Sequence, residues 1–277
     1  MSAMVNKVTT GCAPVEYVVV GMLENNVYFI EDGEGGVIVC DPSDQVETLL
    51  SVAGDRKVSA IFVTHRHFDH VGALAALKEA TGAPVYCGAI DAPGVEGPEA
   101  GSHGVVVDSC KVDYPVEDGQ AITVGKTTWK VIHTPGHTKG GVCYYLDPAD
   151  CAIECEGPRY PLLLSGDTLF HQSTGRTDFE GGSEQDMLYS MNRLGELSDE
   201  TLVFPGHSSL TTIGRNRFWV IEAYARFIGM EQQLQAILPG TAVRESLHLG
   251  RRAAVKSLAS AVVPDAVRSA YGTQEEV

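Results

Sequence analysis

The feature that most constrains this chain is a dense group of metal-ligand residues within six positions. His65, His67, Asp69 and His70 follow an apolar strand pattern at 60–63, and a helical pattern of apolar residues comes next. Residues two apart on an extended chain face the same side, so we expect His65 and His67 to point together. Asp69 and His70 follow as the chain turns into the helix. Imidazoles and a carboxylate at this density predict a metal site.

Three downstream motifs have the same character. In chain order they are His-Thr-Pro-Gly-His-Thr (133–138), Leu-Ser-Gly-Asp-Thr-Leu-Phe (164–170) and Val-Phe-Pro-Gly-His (203–207). Together with the His-x-His-x-Asp-His segment, they resemble the metallo-β-lactamase superfamily over about residues 15–214. The resemblance implies an α/β fold, a four-layer αββα sandwich with the ligands on loops at one edge.

The resemblance also implies two metal sub-sites built from seven side chains. The first is formed by His65, His67 and His137, the second by Asp69, His70 and His207, and Asp167 bridges them. Imidazole and carboxylate ligands without a thiolate suit divalent ions, so we expect two Zn²⁺, with Fe²⁺ or Mn²⁺ as alternatives. Within this set, Asp69 and Asp167 are the predicted catalytic residues.

Two assignments near this site rest on local sequence. His133 competes with His137, but the family pattern places the ligand after Pro-Gly, and that turn can keep the two histidines apart. We therefore predict His137 as the ligand. Asp41 ends a predicted strand, where it either orients the His65 segment or serves as a turn or cap residue.

Two further stretches resemble the glyoxalase II-like branch of the superfamily. They are Gly-Arg-Thr-Asp-Phe (175–179) before Gly-Gly-Ser, and Pro-Gly-His before Thr-Thr-Ile-Gly (211–214). Hydroxyacylglutathione hydrolases of that branch imply a hydrolase that cleaves an acyl thioester with metal-bound hydroxide. The thiolate leaving group has a pKa of about 8.5, by analogy with cysteine, and departs without a proton donor. The sequence offers no clear Ser-His or Cys-His nucleophile pair.

Two other functions stay open. Persulfide dioxygenases also belong to the branch that this sequence resembles. The resemblance implies that such an enzyme would hold a single iron with His65, His137 and Asp167. Metal content and oxygen uptake would distinguish it from a hydrolase. A non-catalytic sensor or interaction module is the second alternative, and the complete ligand set argues against it.

Residues around the predicted site have less specific signals. Arg176 and Asp178 are predicted to brace a loop, and Lys139 either contacts an acidic substrate or faces solvent. The segment 89–105 is rich in glycine, proline and acidic residues and is predicted to be a loop. Within it, His103 is expected to be solvated.

Charge and cysteine usage limit the partners and the compartment. The 277 residues include 20 basic and 36 acidic side chains, for a net charge of −16. Such a surface repels phosphate backbones and anionic lipids, so we expect no nucleic acid and no membrane partner. The partner that the resemblance implies is a small-molecule thioester. Seven cysteines without a Cys-x-x-Cys pair predict a reducing, cytoplasmic compartment. Cys151 and Cys155 could pair or bind metal, but a surface loop is favoured.

The chain divides by character into two parts. Residues 1–214 are predicted to form the metallo-β-lactamase-like domain, with helices at 46–53, 69–80 and 184–197. Residues 215–277 are predicted to form a helical C-terminal extension, in which 218–238 is amphipathic. Its apolar stripe is expected to pack on the sandwich or on a second subunit, which would make a homo-oligomer. No signal-peptide pattern and no membrane-spanning apolar run are expected.

Overall fold

Two large β-sheets dominate the structure, a computed structural model that describes residues 4–97 and 101–222. In spatial order, the first sheet contains Asn6–Val8, Val15–Val20, Asn25–Glu31, Gly36–Cys40, Lys57–Val63, Val85–Gly88 and Tyr114–Val116. The second contains Ala121–Val124, Thr127–His133, Val142–Leu146, Leu162–Gly166, Leu202–Pro205 and Thr211–Thr212. Two short hairpins pair Gly101–Ser102 with Val105–Val106 and Leu169–Phe170 with Ser173–Thr174.

Helices flank the sheets. They are Val46–Ala53, Phe68–Val71, Leu74–Thr81, Ala92–Glu96, Glu184–Leu194 and Ile213–Asn216, with a 3-10 turn at Pro148–Asp150 and a π-helical segment at Arg217–Glu222. Leu49 and Leu77 join one core cluster with the first sheet. The fold is the predicted mixed α/β arrangement of two sheets flanked by helices.

The strand Asn25–Glu31 shows how one sequence serves two cores. Val27 and Phe29 pack into the cluster that contains the helices, whereas Tyr28 and Ile30 pack into the cluster shared with the second sheet. Successive side chains of a strand leave opposite faces, which produces this division. Because both faces are covered, the strand is buried along almost its whole length and its sequence is largely apolar.

Aromatic rings join the two sheets just below the candidate site. The Phe62 ring stacks on Tyr144 at 4.4 Å between centroids and meets the Trp129 ring edge-on at 5.7 Å. The Tyr144 hydroxyl donates a hydrogen bond to the carbonyl of Val63 at 2.9 Å. Because Val63 ends the strand that leads into His65, these contacts fix the position from which the histidine-rich segment departs.

The helix predicted at 69–80 is divided in two. Phe68–Val71 and Leu74–Thr81 are separate helices, because the backbone amide of Ala73 donates to the carbonyl of Pro42 at 2.9 Å. A Cβ atom on Gly72 would lie 2.3 Å from the carbonyl oxygen of Ser43. The loop at 42–43 therefore packs against the backbone at the break, a long-range contact that the helical pattern does not reveal.

Two other local predictions were wrong. The segment 89–105 contains the helix Ala92–Glu96, whose proline lies in the first turn, where no amide hydrogen is needed. Cys151 does not lie on a surface loop: it is buried, and its backbone pairs with Thr127. All seven cysteines are free thiols.

The described chain ends in helical residues that pack on neighbouring loops. Val220 and Ile221 are buried, and the guanidinium of Arg217 donates to the carbonyls of Gly195 and Leu197 at 2.7 and 2.8 Å. The helices predicted beyond residue 222 lie outside the described residues, and the boundary between 214 and 215 stays a prediction. Over the part of the chain that the structure describes, no helix is both long and apolar enough to cross a membrane.

Candidate metal centre

Strand ends bring the predicted ligands to one edge of the fold. In the second sheet, Leu162–Gly166 and Leu202–Pro205 run parallel, and they lead into Asp167 and His207. In the first sheet, Lys57–Val63 leads into the histidine-rich segment. The carboxyl ends of parallel strands share an edge, which is where ligand sites form in such sheets.

The first group of ligand atoms is made of three buried imidazoles. Nε2 of His65 lies 3.1 Å from Nδ1 of His67, which lies 2.8 Å from Nε2 of His137. The ligand atoms of the three residues all lie within 4.8 Å of one another. Three ring nitrogens that converge on one point in a buried setting are suited to hold a divalent metal.

The second group combines a carboxylate with two imidazoles. Oδ2 of Asp69 lies 3.2 Å from Nε2 of His207 and 3.5 Å from Nε2 of His70. The ligand atoms of these residues also lie within 4.8 Å of one another. The structure therefore brings together in each group the residues that the family resemblance implies, and each group has enough donors for one ion.

Asp167 contacts both groups. Its Oδ2 lies 3.5 Å from Nε2 of His137 and 3.6 Å from Nε2 of His207, while its Oδ1 lies 3.3 Å from Nε2 of His70. Oδ1 of Asp167 and Nε2 of His70 are buried and have no hydrogen-bond partner among the described residues. Unpaired buried polar atoms are costly, and a divalent cation between them would satisfy both. The donor set therefore fits two metal ions.

Backbone carbonyls fix the tautomers of two of the histidines. Nδ1 of His137 donates to the carbonyl of Arg176 at 2.7 Å, and Nδ1 of His207 donates to the carbonyl of Leu23 at 2.9 Å. A carbonyl only accepts hydrogen bonds, so each Nδ1 carries the proton and each Nε2 offers a lone pair to the centre.

Asp41 orients ligands of both groups. Its Oδ2 accepts hydrogen bonds from Nδ1 of His70 at 2.9 Å and from the hydroxyl of Thr64 at 2.7 Å, and its Oδ1 accepts from the Thr64 amide. The same hydroxyl lies 3.1 Å from Nδ1 of His65. Because the hydroxyl proton points to Asp41, the oxygen is free to accept from His65. Of the two interpretations of Asp41, the geometry favours orientation of the histidines.

Asn25 is a site residue that the sequence analysis missed. Its buried side-chain amide donates to Oδ2 of Asp69 at 3.0 Å and lies 3.3 Å from Nε2 of His207. The next residue, Asn26, donates to the carbonyls of Pro205 and Ser208. Two adjacent asparagines that open an apolar strand were the available signal, because buried amides need partners.

The pKa values of the first group are lowered. Burial, followed by the charges of neighbouring histidines, holds the pKa of His65 well below its ordinary value and lowers that of His67 to about 3. Burial also lowers the pKa of His137, against the opposing effect of Asp167. These three imidazoles are therefore neutral at pH 7, the form that binds metal.

In the second group the pKa values of both histidines are raised. Burial alone would lower the pKa of His70 and His207, but nearby carboxylates raise both, chiefly Asp167 and Asp41 for His70 and Asp69 for His207. Burial would raise the pKa of Asp69 and Asp167, yet the histidines lower both, chiefly the hydrogen bond with His207 for Asp69 and the charge interaction with His70 for Asp167. Both carboxylates are thus ionised at pH 7, and protons on these two histidines would compete with a metal for Nε2.

A glycine makes the close approach of the last loop possible. A Cβ atom on Gly206 would lie 2.5 Å from Oδ1 of Asp167 and 2.5 Å from Cε1 of His70. Glycine has no Cβ, so the backbone can pass directly beside the centre. This position explains why a glycine precedes His207.

An aromatic residue lies at the mouth of the site. The Phe179 ring centroid is 4.0 Å from that of His103, 6.0 Å from that of His67 and 6.2 Å from that of His137. The guanidinium carbon of Arg176 lies 4.2 Å from the Phe179 centroid. His103 is exposed as expected, but it packs on Phe179 instead of standing free in solvent.

The remaining predicted residues have clear positions. Nε and Nη2 of Arg176 donate to the two carboxylate oxygens of Asp178 at 2.9 and 2.8 Å, which agrees with a bracing pair on the surface. His133 does not reach the ligand cluster, because its Nε2 donates to the carbonyl of Lys139 at 2.9 Å. The structure thus brings His137 to the cluster and leaves His133 outside it.

Comparison with known families agrees with the fold. The family model described as the metallo-beta-lactamase superfamily matches residues 20–207. The match covers more than half of the chain, so this protein belongs to the metallo-β-lactamase superfamily. A hydroxyacylglutathione hydrolase of Pseudomonas aeruginosa is 37% identical over 187 residues, which are 66% of this chain and 62% of that protein.

Several solved structures are similar to this one in fold. The B3 metallo-beta-lactamase BLEG-1 has a TM-score of 0.66 and 31% identity, and the match covers 74% of this chain and 99% of that one. TTHA1623, solved in a di-iron-bound form, has a TM-score of 0.62 and 34% identity, with 73% and 97% covered. ETHE1 from Myxococcus xanthus has a TM-score of 0.58 and 25% identity, with 91% and 99% covered.

Proposed function

We propose that this protein is a dinuclear metal-dependent hydrolase that cleaves acyl thioesters. The proposed ligands are His65, His67 and His137 for one ion, Asp69, His70 and His207 for the other, and Asp167 for both. The observation that carries the proposal is the position of Asp167, whose two carboxylate oxygens contact histidines of both groups. A carboxylate placed between two groups of ligands can bind both ions at once, which favours a two-metal site over a one-metal site.

The chain's own residues supply orientation and charge for this chemistry. Two bound divalent ions would provide a nucleophile derived from water at neutral pH and would stabilise negative charge on the acyl oxygen. The lowered pKa values of Asp69 and Asp167 keep both carboxylates ionised, so each can accept a hydrogen bond or proton beside the reacting group. Asp41 and Asn25 hold the ligands in place through the contacts described above.

Two lines of support favour a thioester over other acyl substrates. The 37% identity to a hydroxyacylglutathione hydrolase is spread over two thirds of this chain. A thiolate also departs without a proton donor, because its pKa of about 8.5 lies close to the pH of the cell.

The proposed cytoplasmic location is supported by the seven free thiols.

A mononuclear iron persulfide dioxygenase is the second candidate. The observation that favours it is the proximity of His137 to Asp167, 3.5 Å, within the histidine group that also contains His65. Those three residues would hold one iron. In that case Asp69, His70 and His207 would have no direct part in the reaction.

The test compares hydrolysis of S-lactoylglutathione with oxygen uptake on glutathione persulfide. We expect wild-type protein loaded with two equivalents of Zn²⁺ or Fe²⁺ to hydrolyse the thioester, and chelation to abolish the reaction. His70→Ala should reduce hydrolysis at least about a hundredfold, because it removes a ligand of the second ion. His133→Ala, a histidine outside the cluster, is the matched control and should keep wild-type activity. Oxygen consumption with the persulfide and no thioester hydrolysis would establish the second candidate instead.

A further inference from the structure

Two cationic residues lie near ligands of the first group in the sequence, and neither has an anionic partner among the described residues. Arg66 lies between the ligands His65 and His67, and Lys139 follows His137 by two residues. Arg66 is half-buried and Lys139 is exposed. Among residues 4–97 and 101–222, no hydrogen bond or ion pair engages either cationic group. In a chain with a net charge of −16, two unpaired cations side by side are unusual.

A buried carboxylate holds these two residues next to each other. Oδ2 of Asp91 accepts hydrogen bonds from the amide of Arg66 at 3.1 Å and from the hydroxyl of Thr138 at 2.7 Å. Oδ1 of Asp91 accepts from the amide of Gly140 at 2.9 Å. Asp91 therefore fixes the backbone of Arg66 and both neighbours of Lys139. The adjacency of the two cations is built into the fold.

Two glycines shape the space around the cations. A Cβ atom on Gly94 would lie 2.6 Å from Cδ of Arg66, so the missing side chain gives the arginine its room. A Cβ atom on Gly181 would lie 3.9 Å from Nη2 of Arg66 and 3.8 Å from Cγ of Lys139. The Arg66 guanidinium and the aliphatic part of the Lys139 side chain thus border the same backbone position.

The loop that carries Gly181 also reaches the metal ligands. Phe179, two residues earlier, has its ring 6.0 Å from that of His67 and 6.2 Å from that of His137. A molecule bound at the ligand cluster and lying along this loop would meet the Phe179 ring first and the two cations next. Glu180 adjoins Gly181, yet within the described chain it forms no ion pair with either cation.

We propose that Arg66 and Lys139 form a carboxylate-binding subsite that selects thioesters carrying a negative charge. This inference rests on the proposed hydrolase activity and names its substrate class. A guanidinium and an ammonium bind a carboxylate by charge-assisted hydrogen bonds, and no carboxylate of the described residues forms an ion pair with either of these two cations. The carboxylate belongs either to the acyl group or to the thiol.

The experiment uses three thioesters with the metal-loaded protein. S-acetyl-N-acetylcysteamine has no charge, S-glutaryl-N-acetylcysteamine carries a carboxylate on the acyl group, and S-acetyl-3-mercaptopropionate carries one on the thiol. We expect wild-type kcat/KM to be about tenfold to a hundredfold higher for one of the charged thioesters than for the neutral one. The charged thioester that is preferred identifies which half of the substrate the subsite binds.

Variants then assign the preference to the two cations. Arg66→Gln and Lys139→Gln should each lower kcat/KM for the preferred charged thioester about tenfold or more and leave the neutral thioester unchanged. Gly94→Ala should also lower it, because the new methyl group displaces Arg66 without removing its charge. Lys130→Gln removes an exposed lysine of the strand Thr127–His133 and should keep the wild-type preference. No preference in the wild-type protein, or an equal loss on charged and neutral thioesters, would overturn the subsite.

A binding measurement separates this proposal from the proposed activity. Two thioethers that cannot be hydrolysed carry the carboxylate on the acyl half, in S-(4-carboxybutyl)-N-acetylcysteamine, or on the thiol half, in S-ethyl-3-mercaptopropionate. Calorimetry gives a Kd for each thioether and for its primary amide. If the protein hydrolyses none of the three thioesters, the proposed activity fails, and the calorimetric result alone decides the subsite. At least about tenfold tighter binding of the carboxylate than of the amide in one of the two pairs, lost in both variants, supports the subsite. Equal Kd values for carboxylate and amide in both pairs, alongside normal hydrolysis of the neutral thioester, would remove the subsite and leave the hydrolase.

Discussion

Oδ2 of Asp41 lies 2.9 Å from Nδ1 of His70, and both side chains are buried. The carboxylate fixes the proton on Nδ1 and turns Nε2 toward Asp69 and Asp167. Through the hydroxyl of Thr64, the same carboxylate also orients a histidine of the first group. Asp41 therefore orients one histidine in each of the two groups of ligands.

Replacing Asp41 should weaken metal binding more than it weakens the fold. Asp41→Asn keeps the shape but loses the charge, so we expect affinity for the second ion to fall about tenfold to a hundredfold. Competition with a chromophoric chelator measures this affinity. Asp32→Asn is the matched control, because Asp32 is equally buried and hydrogen-bonded, in a hairpin remote from the site. Equal effects of the two substitutions on metal affinity would contradict the orienting role.

Gly206 should be intolerant of even a methyl group. In Gly206→Ala the new Cβ would meet Asp167 and His70, and the ligand loop must move away. We expect the purified variant to bind fewer than two ions per chain while its circular dichroism stays close to wild type. Gly54→Ala is the control: its φ of 60° strains an alanine, but no atom lies within 4 Å of the added Cβ, so this variant should lose stability and still bind two ions. Two tightly bound ions in Gly206→Ala would show that the loop accommodates a methyl group without displacing the ligands, which contradicts this prediction.

The positions of the ligands could be predicted from sequence because strands and helices have fixed periods. His65, His67 and His70 occupy the end of a strand and the start of a helix, and their relative directions follow from that transition alone. Asp167 and His207 follow strand ends in the same way, and the fold brings those ends to one edge. Their grouping in two clusters came from the family resemblance, and the geometry places them together.

Partners that act across long sequence distances could not be predicted. Asn25 meets Asp69 across 44 positions and Asp91 meets Thr138 across 47, so no local pattern marks either contact. The break after Val71 depends on the carbonyl of Pro42 in the same way. Buried polar residues show their partners only when the tertiary structure places them.

Acid should destabilise the metal-free protein through His67. Its pKa is lowered to about 3 in the folded protein, against 6.5 for an ordinary histidine, so the unfolded chain binds the proton more tightly. This contribution is absent above about pH 7 and reduces the free energy of unfolding by about 2 kcal/mol at pH 5. Urea unfolding of the apoprotein at pH 7.5 and pH 5.0 measures the difference.

Removing the imidazole should remove that part of the pH dependence. His67→Ala should show a difference between the two pH values that is smaller by about 2 kcal/mol than in the wild-type apoprotein. Val131→Ala truncates a buried core side chain without changing any ionisable group, so it should be less stable but keep the wild-type difference. An unchanged pH difference in His67→Ala would contradict the assigned pKa.

The segment 215–222 should contribute to the stability of the sandwich. Val220 and Ile221 are buried and Arg217 donates to two carbonyls, so a chain cut after Gly214 loses these contacts. We expect it to be less stable than a chain cut after Glu222 by at least about 2 kcal/mol, from the lost apolar burial. Chemical denaturation of both truncated proteins gives the comparison, and equal stabilities would show that these contacts contribute little.

The central claim is that two metal ions act together at a site that Asp167 bridges. Its most direct test is the rate of S-lactoylglutathione hydrolysis by apoprotein as Zn²⁺ is added in known equivalents. If both ions are required, the rate of hydrolysis rises until two equivalents of Zn²⁺ per chain are bound and then becomes constant. A rate that is complete at one equivalent, or apoprotein that hydrolyses the thioester at full speed, would contradict the dinuclear mechanism.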